Sequence, residues 1–156
     1  MFLSGTILVF IGAFLATLLA GIGSAYGVHI AGKAAAGVLS EQPELFGKIV
    51  ILQALPGTQG IYGFITSVLV LVFSGILGGG GEELTISQGW WYFVACMPAT
   101  IGGFVSAVYQ AKVASAAIYM TAKQPESSAR GITLTAMVET YAILALLTSI
   151  LLIISI

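Results

Sequence analysis

Charge is what this sequence has least of. Only 7% of its 156 residues are charged, while 58% are hydrophobic. A soluble domain carries about 25% charged residues. There are too few here to solvate a globular surface, so a water-facing domain is excluded and lipid is implied. The apolar stretches far exceed the roughly 20 residues that cross a bilayer, and we read one membrane domain with no soluble appendage. Bases are scarce as well. Five Lys and Arg against six acidic residues give a net charge of −1, so no basic footprint exists for nucleic acid. The single cysteine, Cys96, excludes an intramolecular disulfide and a cysteine metal cluster, and reads as a small apolar packing residue. His29 has no second metal-type residue nearby and receives no role. The glycine run 78–81 lacks a following Lys-Ser/Thr, so it is a flexible connection rather than a phosphate loop. No basic stretch precedes the first apolar segment, which points to a retained spanning helix rather than a cleaved leader.

Charges and turn residues divide the remainder into four helices, expected near residues 4–39, 48–77, 89–123 and 129–156. The fold class is thus an all-α membrane protein of four transmembrane helices. We divide it into a first hairpin (1–78), a connecting loop (79–88) and a second hairpin (89–156). Basic residues favour the first and third connections: Lys33 and Lys48 flank one, Lys123 and Arg130 the other, and Lys112 lies in the half-helix leading to it. By the positive-inside rule these connections, near Glu41–Glu44 and Gln124–Ser128, are cytoplasmic. Both termini and Glu82/Glu83 are then extracytoplasmic. Trp90, Trp91 and Tyr92 open the third helix at the outer interface, where amphipathic rings sit.

The chain repeats itself. Gln42-Pro43-Glu44 recurs as Gln124-Pro125-Glu126, 82 positions on, from residue 42 to residue 124. At that offset Gly21 meets Gly103, Ser24 meets Ser106, Lys48 meets Arg130, Thr58 meets Thr140 and Ile61 meets Ile143. An even number of spans separates the copies, so the two hairpins are parallel repeats. That suits rotational symmetry about the membrane normal better than an inverted-repeat transporter. Small residues crowd the first and third helices, and small residues let backbones approach closely in lipid. A ring of copies, with these two helices inside and the others outside, uses such crowding on several sides. Ordinary packing within one bundle is the simpler alternative.

Five of the six glutamates (Glu41, Glu44, Glu82, Glu83, Glu126) fall in connections. The sixth does not. Glu139 lies nine residues beyond Arg130, roughly 14 Å along a helix axis. A charge at that depth costs at least a few kcal/mol and marks a functional site by default. The bland alternative is a protonated carboxyl hydrogen-bonded within the bundle. The second helix carries Leu55-Pro56-Gly57-Thr58-Gln59-Gly60. Pro56 cannot donate to the Leu52 carbonyl and kinks the helix. Broken backbone is tolerated at membrane depth only where protein buries it or a cavity uses it. Thr58 and Gln59 lie about as far from Lys48 as Glu139 lies from Arg130, and Gln110 reaches a similar level. Three helices therefore deliver a hydroxyl, two amides and one carboxylate to one depth. Hard cations prefer such oxygen sets. One monovalent cation makes the loaded site neutral, and Na+ is the natural choice. A bare proton would need only the carboxyl. Interhelical hydrogen bonding is the structural alternative for the amides and Thr58.

The segments Gln53-Ala54-Leu55-Pro56-Gly57-Thr58-Gln59-Gly60-Ile61-Tyr62-Gly63 and Val138-Glu139-Thr140-Tyr141-Ala142-Ile143-Leu144 resemble the membrane rotor proteolipid (the K or c subunit) of bacterial V-type ATPases, most of all its sodium-translocating branch. The resemblance spans the whole chain. It implies a homo-oligomeric rotor ring that turns against a stator membrane subunit bearing an arginine. Central-stalk subunits would sit on the cytoplasmic side, with lipid around the ring. It implies Na+ held by the Leu55 carbonyl, the Thr58 hydroxyl, the Gln59 and Gln110 amides and the Glu139 carboxylate, with Tyr62 locking the site. ATP hydrolysis belongs to other subunits, so the chain is not an enzyme by itself. At the repeat offset Glu139 aligns with Gly57, which implies one ion per chain. A proton-carrying (H+) rotor of the same family is the nearest alternative; a small channel and a structural membrane protein are more distant ones. Lys112 snorkels to the cytoplasmic interface or faces the ring's lumen, where lipid headgroups balance it.

Overall fold

A computed structural model describes residues 4–78 and 83–156. Residues 79–81 of the glycine run and Glu82 lie outside the described residues. The elements are α1 (Gly5–Glu41), α2 (Phe46–Ala54), α3 (Thr58–Phe73), α4 (Ile86–Lys123) and α5 (Ser128–Ile154), with 3₁₀ turns at Pro43–Leu45, Leu55–Gly57 and Pro125–Ser127. No strand occurs among the described residues. Gly5–Glu41, Pro43–Phe73, Ile86–Lys123 and Pro125–Ile154 are each long and apolar enough to cross a membrane. These four runs form two tandem helical hairpins of a multi-pass membrane protein.

The packing explains why small residues dominate. In lipid, apolar side chains gain nothing by turning inward, so van der Waals fit decides which face of a helix is internal. Phe14, Met137, Tyr141 and Leu151 accordingly face outward, while Ala16, Ala20, Ala31, Ala107, Ala111 and Ala114 are buried. The most extensive contact joins α1 to α4, the two helices the sequence marks as crowded. A Cβ on Gly23 would lie 2.8 Å from the Phe104 Cα, and one on Gly27 would lie 2.9 Å from the Ala107 carbonyl oxygen. Both approaches require glycine.

The repeat is visible in side-chain detail. Thr17 and Ser67 share a hydrogen bond of 2.7 Å. Their counterparts 82 positions on (17 to 99, 67 to 149) are Ala99 and Ser149, and there the Ala99 N–H donates to Ser149 Oγ at 3.0 Å. A Cβ on Gly63 would stand 2.6 Å from the Ala20 Cβ, and one on Gly102 would stand 2.6 Å from the Ala145 Cβ. These are the same two positions with glycine and alanine exchanged. Both Gln-Pro-Glu connections lie at one end of the bundle, where Lys48 Nζ donates to the Pro125 carbonyl at 3.1 Å.

Two local features shape the spans. The second span is not continuous: the Leu55–Gly57 3₁₀ turn separates α2 from α3, as Pro56 requires. The third span begins at Ile86 rather than near Gly89. Thr85 Oγ1 accepts from the Gln88 N–H while Gln88 Oε1 accepts from the Thr85 N–H, and this Thr-x-x-Gln capping box starts the helix earlier. α4 also runs through Pro98 without a break.

Candidate ion-binding site

The break at Pro56 sets up the site. With the helix tightened to 3₁₀ there, Thr58 Oγ1 donates to the Leu55 carbonyl at 2.9 Å. Immediately beyond, the Gly60 N–H donates to Ser24 Oγ of α1 at 2.7 Å. The broken span is thus pinned to α1, which holds the next turn of α3 against α4 and α5.

That turn presents Gln59 and Tyr62 to the second hairpin. Gln59 Nε2 donates to Gln110 Oε1 at 2.5 Å. Gln110 Nε2 donates to the Thr135 carbonyl at 3.1 Å and to Glu139 Oε2 at 3.4 Å. Tyr62 OH donates to Glu139 Oε1 at 2.5 Å. A continuous chain of hydrogen bonds therefore runs from α3 through α4 to α5. Gln59 and Gln110 are both fully buried; Glu139 and Thr58 are half-buried. The depth arithmetic on separate helices is matched by contact: Gln59, Tyr62, Gln110 and Glu139 meet directly. Thr58 and Leu55 are linked to each other and adjoin this group in sequence. No hydrogen bond joins them to Glu139 among the described residues.

Gln59 Oε1 is the informative atom. It is buried and has no hydrogen-bond partner among the described residues. A buried carbonyl oxygen without a donor costs about 1–3 kcal/mol. At the other end of that chain of hydrogen bonds, the Glu139 carboxylate has two donors, Tyr62 and Gln110, and no salt-bridge partner among the described residues. An oxygen-coordinated monovalent cation would satisfy both. The donor set is all oxygen, and the described residues hold no cluster of three His, Cys, Asp or Glu, which fits a hard cation rather than a transition metal.

Two supports were not legible in the sequence as site residues. Ser24 secures the broken helix, and the Thr135 carbonyl orients the Gln110 amide. Ser24 stood out only as a repeat-matched small residue; a backbone carbonyl leaves no residue signal at all. Lys112 and His29 stay outside the site. Lys112 is exposed, with Nζ 5.1 Å from the centroid of the Tyr109 ring, and His29 is exposed on α1.

The family of the ATP synthase C subunit matches the chain twice, over residues 11–70 and 93–152. The two matches are themselves 82 positions apart, from 11 to 93. The V-type sodium ATPase subunit K of Enterococcus hirae is 44% identical over 140 residues, covering 90% of this chain and 86% of that protein. The A-type ATP synthase subunit K of Methanocaldococcus jannaschii is 38% identical over 147 residues, covering 94% of this chain and 61% of that longer protein.

Proposed function

The chain belongs to the family of the ATP synthase C subunit, and from that premise we propose that it is a rotor-ring subunit of a V-type rotary ATPase that carries one Na+ per chain at Glu139. The observation that supports the ion is a buried, unpartnered Gln59 Oε1 on a side chain that is joined through Gln110 to Glu139. The relative from Enterococcus hirae is named for a sodium ATPase, which agrees with that reading.

In this proposal the ion is held by the Glu139 carboxylate, the Gln59 and Gln110 amide oxygens, the Thr58 hydroxyl and the Leu55 carbonyl. Each ligand has a reason. Glu139 supplies the balancing charge. The Leu55 carbonyl and the Thr58 hydroxyl stand together where the 3₁₀ turn brings them. The amides add neutral oxygens that leave the net charge at zero. Tyr62, donating to Glu139 Oε1, holds the carboxylate in one orientation and locks the loaded site.

Charge then dictates motion. A loaded site is neutral and can pass through lipid as the ring turns. An emptied carboxylate is an unpaired charge in a low-dielectric medium, which costs several kcal/mol. It must meet a cation before turning further, and an arginine on the stator membrane subunit fills that role. Entry and exit from offset half-channels couple rotation to net transport. Stalk subunits meet the Gln-Pro-Glu connections on the cytoplasmic side, with both termini and the 79–88 connection outside. ATP chemistry stays on the separate soluble subunits.

The test is carbodiimide labelling of Glu139 in purified rings. Na+, but not K+, should slow labelling at constant pH. Labelling that follows pH alone and ignores Na+ would sink the sodium reading and leave a proton carrier.

A further inference from the structure

Ser24 on α1 and Ser106 on α4 occupy equivalent positions of the repeat, 82 apart from 24 to 106. Both are buried. Inside a helix a serine hydroxyl can bond back to its own preceding turn. Ser106 does so, donating to the Gly103 carbonyl at 3.2 Å. Ser24 instead reaches across to α3 and accepts from the Gly60 N–H at 2.7 Å. One residue type at one position of the repeat therefore has two different partners.

The partner helix explains the difference. The first N–H groups of a helix lack acceptors within that helix. α3 restarts at Thr58, just after the Pro56 break, and its N-cap residue, Gly57, has no side chain with which to supply one. Gly60 is the third residue of α3, a position that an N-cap oxygen serves. Ser24 supplies that oxygen from another helix. The counterparts of Pro56, Gly57 and Gly60, 82 positions on at 138, 139 and 142, are Val138, Glu139 and Ala142. They lie inside the unbroken α5. No helix starts there, so Ser106 has no N–H to cap.

The neighbours of Ser24 on α1 fit the break as closely. A Cβ on Gly27 would lie 2.8 Å from the Pro56 Cβ, and one on Gly57 would lie 3.4 Å from Val28 Cγ2. A Cβ on Gly60 would lie 3.2 Å from the Ser24 Cβ and 3.5 Å from the Gly21 Cα. Gly21, Ser24 and Val28 are spaced by three and four residues, so they share one face of α1. α1 thus holds Pro56 and Gly57 on one side and Gly60 on the other. Between these held points lie Thr58 and Gln59, two of the proposed ligands.

We propose that Ser24 is a positioning residue for the ion: by capping α3 from α1 it fixes the turn that carries Thr58 and Gln59, and so sets the affinity for Na+ without being a ligand. This rests on the Na+ reading of the site. Without the hydroxyl the Gly60 N–H loses its acceptor and the turn is free to shift. The Thr58 and Gln59 oxygens on α3 then move relative to the carboxylate on α5, and one ion can no longer meet all of them. Groups that orient ligands from outside the coordination shell typically change metal affinity by about tenfold or more when removed.

The test compares purified rings of the parent, Ser24→Ala, Ser67→Ala and Ser106→Ala chains, checked for assembly by native mass measurement. The readout is the Na+ concentration that half-protects Glu139 from carbodiimide at constant pH. Ser67 also ties α3 to α1, donating to the Ala13 carbonyl. It lies seven residues beyond Gly60, so its loss weakens packing without loosening the ligand turn. Ser24→Ala should raise the half-protecting Na+ concentration about tenfold. Ser67→Ala and Ser106→Ala should leave it unchanged, even where a denaturant titration finds Ser67→Ala less stable. Should Ser24→Ala rings fail to assemble, Ser24→Cys keeps the shape, weakens the acceptor and should shift the requirement in the same direction. An unchanged Na+ requirement in the Ser24 variant, or an equal rise in the Ser67 variant, would make Ser24 a packing residue and overturn its role while leaving the Na+ reading intact. Parent rings that Na+ does not protect would overturn the Na+ reading itself.

Discussion

At one depth in the membrane the two hairpins place Val28 beside Gly57 and Gln110 beside Glu139. These are equivalent positions, 82 apart from 28 to 110 and from 57 to 139, in helices that repeat one another's close contacts. In the first hairpin a Cβ at residue 57 would meet only a valine methyl. In the second, the amide of residue 110 donates to the carboxylate of residue 139. The backbone frame is common to both; the chemistry is not. Nor does the second hairpin own the site alone, because Gln59 and Tyr62 reach it from the first. In the proposed site one hairpin supplies the charge, and the other supplies the broken helix, the Gln59 amide and the Tyr62 hydroxyl.

Four comparisons between equivalent positions measure how deep that division goes. The largest effect is expected from Glu139→Gln, which removes the one negative charge of the proposed site. Na+-dependent protection and transport should be abolished while rings still assemble; loss of assembly would instead make Glu139 a packing residue. Gly57→Glu added to that variant should not restore binding, since Val28 stands where the amide is needed. Next is Tyr62→Phe. A hydrogen bond to a charged group contributes about 1.5–3 kcal/mol, so Na+ affinity should fall roughly tenfold or more, since about 1.4 kcal/mol corresponds to a factor of ten. The equivalent residue, Leu144, should tolerate Met without change in affinity. An unchanged affinity in Tyr62→Phe would remove the latch from the scheme.

The third effect is on packing. Gly102→Ala drives a Cβ to 2.6 Å from that of Ala145 and should destabilise by about 1–3 kcal/mol in a denaturant titration in detergent. Adding Ala145→Gly should recover most of it. In the first hairpin Gly63→Ala should not be rescued by Ala20→Gly, because the Ala16 carbonyl oxygen would also clash with the new Cβ. Equal rescue in both hairpins would mean that the frames are closer copies than their contacts indicate. The smallest effect separates two serines. Ser24 accepts from the Gly60 N–H across helices, whereas Ser106 donates only to its own helix, at Gly103. Ser24→Ala should cost about 1 kcal/mol and Ser106→Ala less than about 0.5 kcal/mol, read in the same titration.

Much of the site is legible in the residues alone. Glu139 announces itself because a lone carboxylate in an apolar run has an energetic cost that is visible residue by residue. Pro56 announces the break for an equally local reason, a missing N–H. Gln59 and Gln110 fall at one depth by counting along helices. Counting gives height and not rotation, so it cannot show that Gln59 Nε2 serves Gln110 and leaves Gln59 Oε1 bare. Ser24 and the Thr135 carbonyl escape for the same reason. The early start of α4 is in the sequence as Thr85 and Gln88, a capping signal that the expected start near Gly89 did not use.

The sequence by itself determined residence in the membrane, the number of spans, the register of the repeat and the height of the carboxylate. Each follows from costs that lipid levies locally, on one residue or one turn at a time. The tertiary structure alone decided which way each helix is rotated. In lipid no hydrophobic face sets that angle; the fit of glycine and alanine against neighbouring backbone does. From that rotation come the hydrogen bond from Tyr62 to Glu139 and the unpartnered Gln59 Oε1.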